Sequence, residues 1–255
     1  MTSSLKRGLR GVLLACCVVL GAQTQAGEVT VAVAANFSAP AQKLVTAFAA
    51  ASGHQAKLVV GSTGKLYAQV KNGAPFQVFL SADDETPRRM VSEGLAVGGS
   101  QFTYATGRLV LWSRQAGVVD PQGAVLKQGN FAHLAIADPK LAPFGAVAVE
   151  VMRQLGLQAA LQPKWVQGES IGQTFQFVSS GNAELGFVAL SQVMQDGKIP
   201  EGSAWVVPAS MHAALKQDAV LLQRGKDEAA ATAFLAYLRS DTAKAVVRGY
   251  GYEIL

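Results

Sequence analysis

Residues 29–65 read VTVAVAANFSAPAQKLVTAFAAASGHQAKLVVGSTGK, and this stretch already predicts the fold class. The β-rich run Val29–Ala34 precedes Ser38–Ala51, where apolar residues recur at helical spacing until Gly53. A second β-rich run, Ala56–Val60, follows directly. The order strand, helix, strand indicates a parallel β–α–β unit.

The same alternation continues along the rest of the chain and predicts an α/β fold with mostly parallel sheets flanked by helices. No Pro/Ser-rich linker marks a simple domain boundary, which favours lobes joined by crossing strands. The further predicted strands are Gln77–Leu80, Arg108–Ser113, His133–Ala137, Lys164–Gln167, Leu185–Leu190 and Trp205–Val207, and the further predicted helices are Lys65–Lys71, Glu85–Glu93, Gly145–Leu155, Ile171–Ser179, Asp227–Arg239 and Asp241–Arg248.

Residues 1–26 are predicted to be a secretory signal peptide. Basic residues within the first ten positions precede the uncharged apolar run Gly11–Ala22, and Thr24 and Ala26 suit a cleavage site before Gly27. This apolar run is too short for a transmembrane helix, which needs about 20 residues. The segment therefore predicts export to the periplasm.

Composition and charge change once this segment is removed. The chain of 255 residues carries a formal net charge of +5, is 50% apolar and has 2 cysteines. Three basic and no acidic residues lie in the signal, so the formal net charge of the mature chain falls to +2. The main argument for a nucleic-acid partner, a strongly basic chain, is thereby removed. Both cysteines, Cys16 and Cys17, also lie there, which excludes disulfides and thiolate chemistry in the mature chain.

Four predicted strand-to-helix turns share the same chemistry, because each places small, hydroxyl or amide residues where a helix begins. Free backbone N–H groups and a partial positive charge make a helix start a ready anion site. Ordinary capping explains any one such turn, whereas four in one chain favour a ligand cleft. The turns are Asn36–Ser38, Gly61–Gly64, Ala142–Gly145 and Gly168–Gly172.

The last turn, GESIG, also fits the nucleophile elbow of serine hydrolases. Ser170 would be the nucleophile, with His212 the available base and Asp196 the preferred candidate for the acid. A secreted serine hydrolase is therefore the alternative function. The GSTGK sequence at Gly61–Lys65 is not a P-loop. Val59 stands where that motif requires a glycine, and Leu66 stands where it requires Ser or Thr after the lysine.

At this point the sequence resembles the periplasmic molybdate-binding proteins of ABC importers, which have a two-lobed type II periplasmic binding fold. The resemblance covers nearly the whole mature chain. It is carried by VAVAANFSAP (31–40), VVGSTGKLYAQVKNGAPFQVFLSAD (59–83), FTYATGRLVLWS (102–113), LAIADPKLAPFGAVA (134–148), GESIGQ (168–173), ELGFVALSQ (184–192) and AFLAYLRSDTAKAVVRGYGY (233–252).

The resemblance implies a protein that captures molybdate, and tungstate, for an ABC importer without catalysis or a cofactor. It implies ligation by the side chains of Asn36, Ser62 and Thr63 and by the backbone N–H groups of Phe144 and Ile171. Molybdenum would then be held as the oxyanion, with no direct protein–metal ligand. The implied partners are the oxyanion and the membrane permease, with no nucleic acid, and the protein is expected to be a monomer.

Two positions depart from the family pattern, so the resemblance does not define the complete set of side-chain donors. Ala35 stands where some members have a hydroxyl residue, and Ala189 where others have a ligand tyrosine. A type II binder for sulfate or a ferric complex therefore remains an alternative. Molybdate and sulfate are both unprotonated dianions, which need only donors, and the five tyrosines show no pair at a turn that would suit iron.

The resemblance also implies how the chain divides. We expect residues 27–107 plus 209–255 in the first lobe and residues 108–208 in the second. The chain would cross between lobes near Gly107–Leu111 and Trp205–Pro208, and binding would close the two lobes as a hinge.

Overall fold

The computed structural model describes residues 26–195 and 197–254, which contain two five-stranded sheets flanked by helices. Nearly all of the predicted signal peptide lies outside the described residues. The strands are β1 Glu28–Ala34, β2 Gln55–Gly61, β3 Val78–Leu80, β4 Phe102–Gly107, β5 Leu109–Ser113, β6 Leu134–Ala137, β7 Trp165–Gly168, β8 Leu185–Ala189, β9 Ser203–Val206 and β10 Leu215–Leu221. The α-helices are α1 Ser38–Ser52, α2 Thr63–Lys71, α3 Glu85–Ser92, α4 Val125–Gln128, α5 Pro143–Gln154, α6 Gln158–Leu161, α7 Ile171–Ser179, α8 Leu190–Val193, α9 Ala229–Leu238 and α10 Asp241–Gly249. Within these ranges no helix is both long enough and apolar enough to cross a membrane.

The two sheets have equivalent topologies. The first has the order β2-β1-β3-β10-β4, and the second has the order β7-β6-β8-β5-β9. In the first sheet every strand except β10 runs in one direction, and in the second every strand except β5 does so. The predicted α/β fold with mostly parallel sheets is therefore confirmed.

The first β–α–β unit forms for the reasons read from the sequence. The small apolar residues of β1 are buried on both faces, because α1 and α9 cover the face that carries Val31 and Val33, and α2 covers the face that carries Ala32. Helix α1 buries Leu44 and Phe48 against the sheet and α9, where Phe48 meets Phe234 edge to face. The helix ends at Gly53, which adopts a left-handed conformation that glycine accepts without steric cost.

Strands β4 and β10 were not predicted, and the predicted strand from Arg108 begins one residue later, at Leu109. Strand β10 is not recognisable from the sequence, because it contains two polar residues, Gln217 and Asp218, that are buried in the structure. Asp218 is satisfied by hydrogen bonds of 2.7 Å from Gln101 and from Thr103. A polar strand of this kind lacks the apolar periodicity from which strands are predicted.

We call each sheet with the helices packed on it a lobe, and the two lobes touch along a cleft. The Gly64 N–H of the first lobe donates to the Leu141 carbonyl of the second, 2.9 Å away. Lys65 pairs with Glu169 across the same cleft at 2.6 Å. The cleft is therefore closed in this structure.

Candidate functional site

The four turns singled out in the sequence follow β1, β2, β6 and β7, which are equivalent strands of the two sheets. Their carboxyl ends face one another across the cleft, and they enclose one small cavity. This cavity brings together all five residues predicted to contact the ligand, and each is at most 3% exposed. Its lining is Asn36, Ser62, Thr63, Phe144 and Ile171 together with Ala34, Ala35, Ala82, Ala142 and Pro143.

The cavity is small and its described lining carries no charged side chain. The space open to the centre of a water-sized sphere is about 10 Å³, which corresponds to about one water molecule. The ligand selectivity of such a site depends on its neutral hydrogen-bond donors and on the size of the cavity.

The first lobe offers two hydroxyl hydrogens to this cavity. Ser62 Oγ is buried and has no hydrogen-bond partner within the described part of the chain. Thr63 Oγ1 accepts a hydrogen bond from the Ala82 N–H at 3.2 Å, which leaves its own hydrogen free to donate. An unpaired buried hydroxyl is costly, and a bound oxyanion would remove that cost.

The second lobe offers backbone N–H groups at two helix starts. Helix α5 begins with Pro143, which has no N–H, so Phe144 is the first donor of its first turn. Helix α7 begins at Ile171 after the cap Ser170. The first N–H groups of a helix have no intrahelical acceptor and lie at its positive end. Both side chains are buried as packing residues.

Gly145 allows α5 to approach its strand. A Cβ at this position would overlap the carbonyl oxygen of Ala137 at the end of β6. Only glycine permits this contact, and the contact places the start of α5 beside the cavity.

Asn36 is held by residues that sequence reasoning did not identify. Its Nδ2 donates to Gln217 Oε1 and to the Tyr252 hydroxyl, both at 2.9 Å, whereas its buried Oδ1 has no hydrogen-bond partner among the residues that the structure describes. The Tyr252 hydroxyl also lies 3.0 Å from Ser191 Oγ, and Tyr104 donates towards Gln217 Oε1 at 3.1 Å. The available sequence signal for Tyr252 was the C-terminal block 233–252, which is one of the segments that carry the family resemblance.

The two buried tyrosines are neutral members of this hydrogen-bond network. Burial raises the pKa of Tyr104 and of Tyr252 above the ordinary value for tyrosine, so both phenols stay protonated at neutral pH. The sequence showed no tyrosine pair at a turn, yet the fold brings both rings into edge-to-face contact with Phe37. Among the described residues, no group of three or more His, Cys, Asp or Glu could hold a metal ion.

The structure gives the GESIG turn a capping role. Ser170 Oγ accepts from the Gln173 N–H at 3.2 Å and caps α7. His212 is bonded through Nδ1 to the Ala213 carbonyl, and no described histidine is hydrogen-bonded to Ser170. Asp196 lies outside the described residues. The described geometry thus gives the serine hydrolase alternative no support.

The two departures from the family pattern differ in position. Ala35 is among the residues that line the cavity. Ala189 ends β8 and is not among the described lining residues.

A two-lobed α/β structure with an uncharged, donor-lined cavity between the lobes defines a solute-binding protein of the type II fold. Residues 29–253 match the family model described as bacterial extracellular solute-binding protein, and the chain belongs to this family. The predicted two-lobed type II fold is thereby confirmed.

Individual relatives are similar over their whole length. The chain is 52% identical to the molybdate-binding protein ModA of Azotobacter vinelandii over 100% of both chains. It is 50% identical to that of Rhodobacter capsulatus over 94% of this chain and 93% of the relative. The solved periplasmic molybdate-binding protein of Azotobacter vinelandii superimposes with a TM-score of 0.86 at 40% identity, over 89% of this chain and 99% of that one. The resemblance inferred from the sequence is confirmed.

Proposed function

We propose that this protein binds molybdate in the periplasm and delivers it to the membrane permease of an ABC importer. The full-length similarity to two molybdate-binding proteins supports the ligand. The membership of a family of extracellular solute-binding proteins supports export, the permease partner and the absence of catalysis. We extend the proposal to tungstate, which has the same charge and shape, and to a monomer without a cofactor.

The observation that carries the proposal is the uncharged cavity between four turns. We assign the oxyanion contacts to the side chains of Asn36, Ser62 and Thr63 and to the N–H groups of Phe144 and Ile171. Ser62 and Thr63 each have a hydroxyl hydrogen free, and the two helix starts add free N–H groups. Donors without a charged partner suit an unprotonated dianion.

We also propose the lobe boundaries predicted above, 27–107 plus 209–255 and 108–208. Their support is that the chain changes sheet at two places, between β4 and β5 and between β9 and β10. Hinge bending at these two crossings would open the cleft, since Gly64–Leu141 and Lys65–Glu169 are contacts between the lobes.

Calorimetric titration of the chain from Gly27 onward tests the ligand. We expect tight binding of molybdate and tungstate and weaker binding of sulfate and phosphate. Asn36→Ala or Thr63→Ala should each weaken molybdate binding about tenfold, the cost of one lost hydrogen bond to a charged group.

The matched control is Ser240→Ala, which removes a helix cap from α10 whose Oγ accepts from the Ala243 N–H. It should lower stability without changing affinity. No binding heat with molybdate would overturn the proposed ligand, and tighter binding of sulfate would make sulfate the cargo. Unchanged affinity in both site variants would show that the assigned contacts are wrong.

A further inference from the structure

We infer that Ser191 and Gln192, two consecutive residues of α8, are positioning residues for the oxyanion site. The Ser191 side chain donates to the backbone carbonyl of Asn36 in the first lobe. The Gln192 side chain donates to the backbone carbonyl of Ile171 in the second lobe. Neither residue is among the described residues that line the cavity. The inference rests on the proposed function and adds to it two residues that act without touching the ligand.

The Ser191 contact joins the two lobes next to Asn36. Ser191 Oγ donates to the Asn36 carbonyl oxygen at 2.8 Å, and both residues are buried. The same carbonyl accepts from the Tyr252 hydroxyl of the first lobe at 2.9 Å, and the two hydroxyl oxygens are 3.0 Å apart. Because a carbonyl oxygen can accept two hydrogen bonds, this one is bonded from both lobes at once. The backbone that carries the Asn36 side chain is therefore fixed relative to the second lobe.

The Gln192 contact fixes the start of α7. Gln192 Nε2 donates to the Ile171 carbonyl oxygen at 3.1 Å, and Gln192 Oε1 accepts from the Ala189 N–H at 2.9 Å. Since a backbone carbonyl only accepts and a backbone N–H only donates, these two partners define which end of the amide is the nitrogen. The side chain thus links the end of β8 to the first residue of α7, whose N–H is assigned to the ligand.

Helix α8 is itself anchored to both lobes. The Leu190 N–H donates to the Arg108 carbonyl, 2.9 Å away, at the first crossing between the lobes. Leu190 also lies against the C-terminal segment of the first lobe, where a Cβ on Gly251 would be 3.1 Å from Leu190 Cδ2 and 2.6 Å from Met194 Sδ. Because α8 is fixed at this crossing, its two side-chain contacts can set the spacing of the two turns that they bind.

These two turns also touch each other directly. A Cβ on Gly172, the second residue of α7, would lie 3.3 Å from the Ala35 methyl carbon. Glycine at this position lets the start of α7 approach the turn after β1. Loss of either α8 contact should change how the Asn36 side chain and the Ile171 N–H approach one oxyanion. Hydrogen bonds weaken steeply when their angles deteriorate, so a small displacement should lower the affinity.

The role of Gln192 is tested with a variant that removes the Ile171 N–H. Gln192→Met should weaken molybdate binding about 3- to 10-fold, as expected for the loss of one positioning hydrogen bond. Ile171→Pro removes the N–H itself, and proline suits the first position of a helix after an extended residue such as Ser170. In this background Gln192→Met should have almost no further effect on affinity, because it acts through the missing N–H, while its cost in thermal stability should remain.

Gln223→Met is the matched control, because Gln223 Nε2 also donates to a backbone carbonyl, that of Ala96, at 3.1 Å, and Gln223 is not among the described lining residues. It should lower stability without changing affinity. Fully additive affinity losses in the Ile171→Pro background would overturn the positioning role of Gln192. Molybdate binding by Gln192→Met as tight as that by Gln223→Met would overturn it as well.

The role of Ser191 is tested by removal and rescue of its hydroxyl. Ser191→Ala should weaken molybdate binding about 3- to 10-fold. Ser191→Thr keeps the hydroxyl and should restore most of the lost affinity, since Ser191 borders an open groove with room for a methyl group. In an Asn36→Ala background, Ser191→Ala should have little further effect on affinity. The matched control is Ser113→Ala, which removes another buried hydroxyl that donates to a backbone carbonyl and should lower stability alone.

Equally weak binding by Ser191→Ala and Ser191→Thr would overturn the role of the Ser191 hydroxyl, as would fully additive losses with Asn36→Ala. Absence of molybdate binding by the unmodified protein would instead overturn the proposed function, together with this inference. Tight binding by the unmodified protein combined with failure of both cycles would overturn this inference alone.

Discussion

The two lobes share one strand order but contribute to the site in different ways. In the first lobe the turns after β1 and β2 present hydroxyl and amide side chains, from Asn36, Ser62 and Thr63. In the second lobe the turns after the equivalent strands β6 and β7 present backbone N–H groups, and the side chains of Phe144 and Ile171 pack inward. The same topology can thus place either kind of donor at a cleft.

This difference determines which substitutions each lobe tolerates. A side-chain donor can be removed without moving the backbone. A backbone donor can be lost only by moving the helix start that carries it. The second lobe should therefore be sensitive to backbone packing, and the first lobe to side-chain chemistry.

The largest expected effect is from Gly145→Ala in the second lobe. The new methyl group would overlap the Ala137 carbonyl, so α5 must shift and carry the Phe144 N–H away from the cavity. We expect loss of about 1–3 kcal/mol of unfolding free energy and strongly weakened molybdate binding. Thermal unfolding and calorimetry measure the two effects.

Gly249→Ala at the end of α10 is the matched control, since a Cβ there has no neighbour within 4 Å. It should leave both stability and affinity nearly unchanged. If Gly145→Ala binds molybdate as the unmodified protein does, the start of α5 is not a ligand contact.

The next effect separates the two kinds of donor. Ser62→Ala removes an unpaired buried hydroxyl, so the ligand-free protein should become no less stable while molybdate binds about tenfold more weakly. Ile171→Val should show the reverse, a loss of about 0.5–1.5 kcal/mol of stability with nearly unchanged affinity. Weaker binding by Ile171→Val than by Ser62→Ala would contradict the division between side-chain and backbone donors.

A smaller effect is expected at the contact between the lobes. Gly64→Ala would place a Cβ 3.1 Å from both the Cα and the oxygen of Leu141, which hinders full closure. Alanine is also the better helix former, by about 0.5–1 kcal/mol. We therefore expect a few-fold loss of affinity without loss of thermal stability in the ligand-free protein. Unchanged affinity would mean that the lobes need not approach this closely when the ligand is bound.

The smallest effect is expected for the ion pair between the lobes. The side chains of Lys65 and Glu169 are about half exposed, and exposed pairs contribute at most about 1 kcal/mol. Lys65→Met should change affinity less than about threefold, and the difference should vanish in about 0.5 M salt. Lys57→Met, which breaks a pair with Glu28 inside the first lobe, should not change affinity at all. A loss above tenfold for Lys65→Met would instead indicate direct attraction of the anion.

The turns could be read from the sequence because their chemistry is local. Helix starts depend on the residue before the helix and on the free N–H groups of its first turn, both of which are visible over a few residues. Strand β10 could not be read in this way, since Gln217 and Asp218 are accommodated by hydrogen bonds from Asn36, Gln101 and Thr103 of other elements. Tyr104, Tyr252 and Ser191 were missed for the same reason.

By itself, the sequence determined the alternation of strands and helices, the four turns and the family. These depend on short-range periodicity, capping and residue identity. The tertiary structure alone decided that the turns share one cavity and that Asn36 meets Gln217 and Tyr252, which lie 181 and 216 residues away along the chain. Pairings at such separations follow from strand order and lobe packing, which no local pattern encodes.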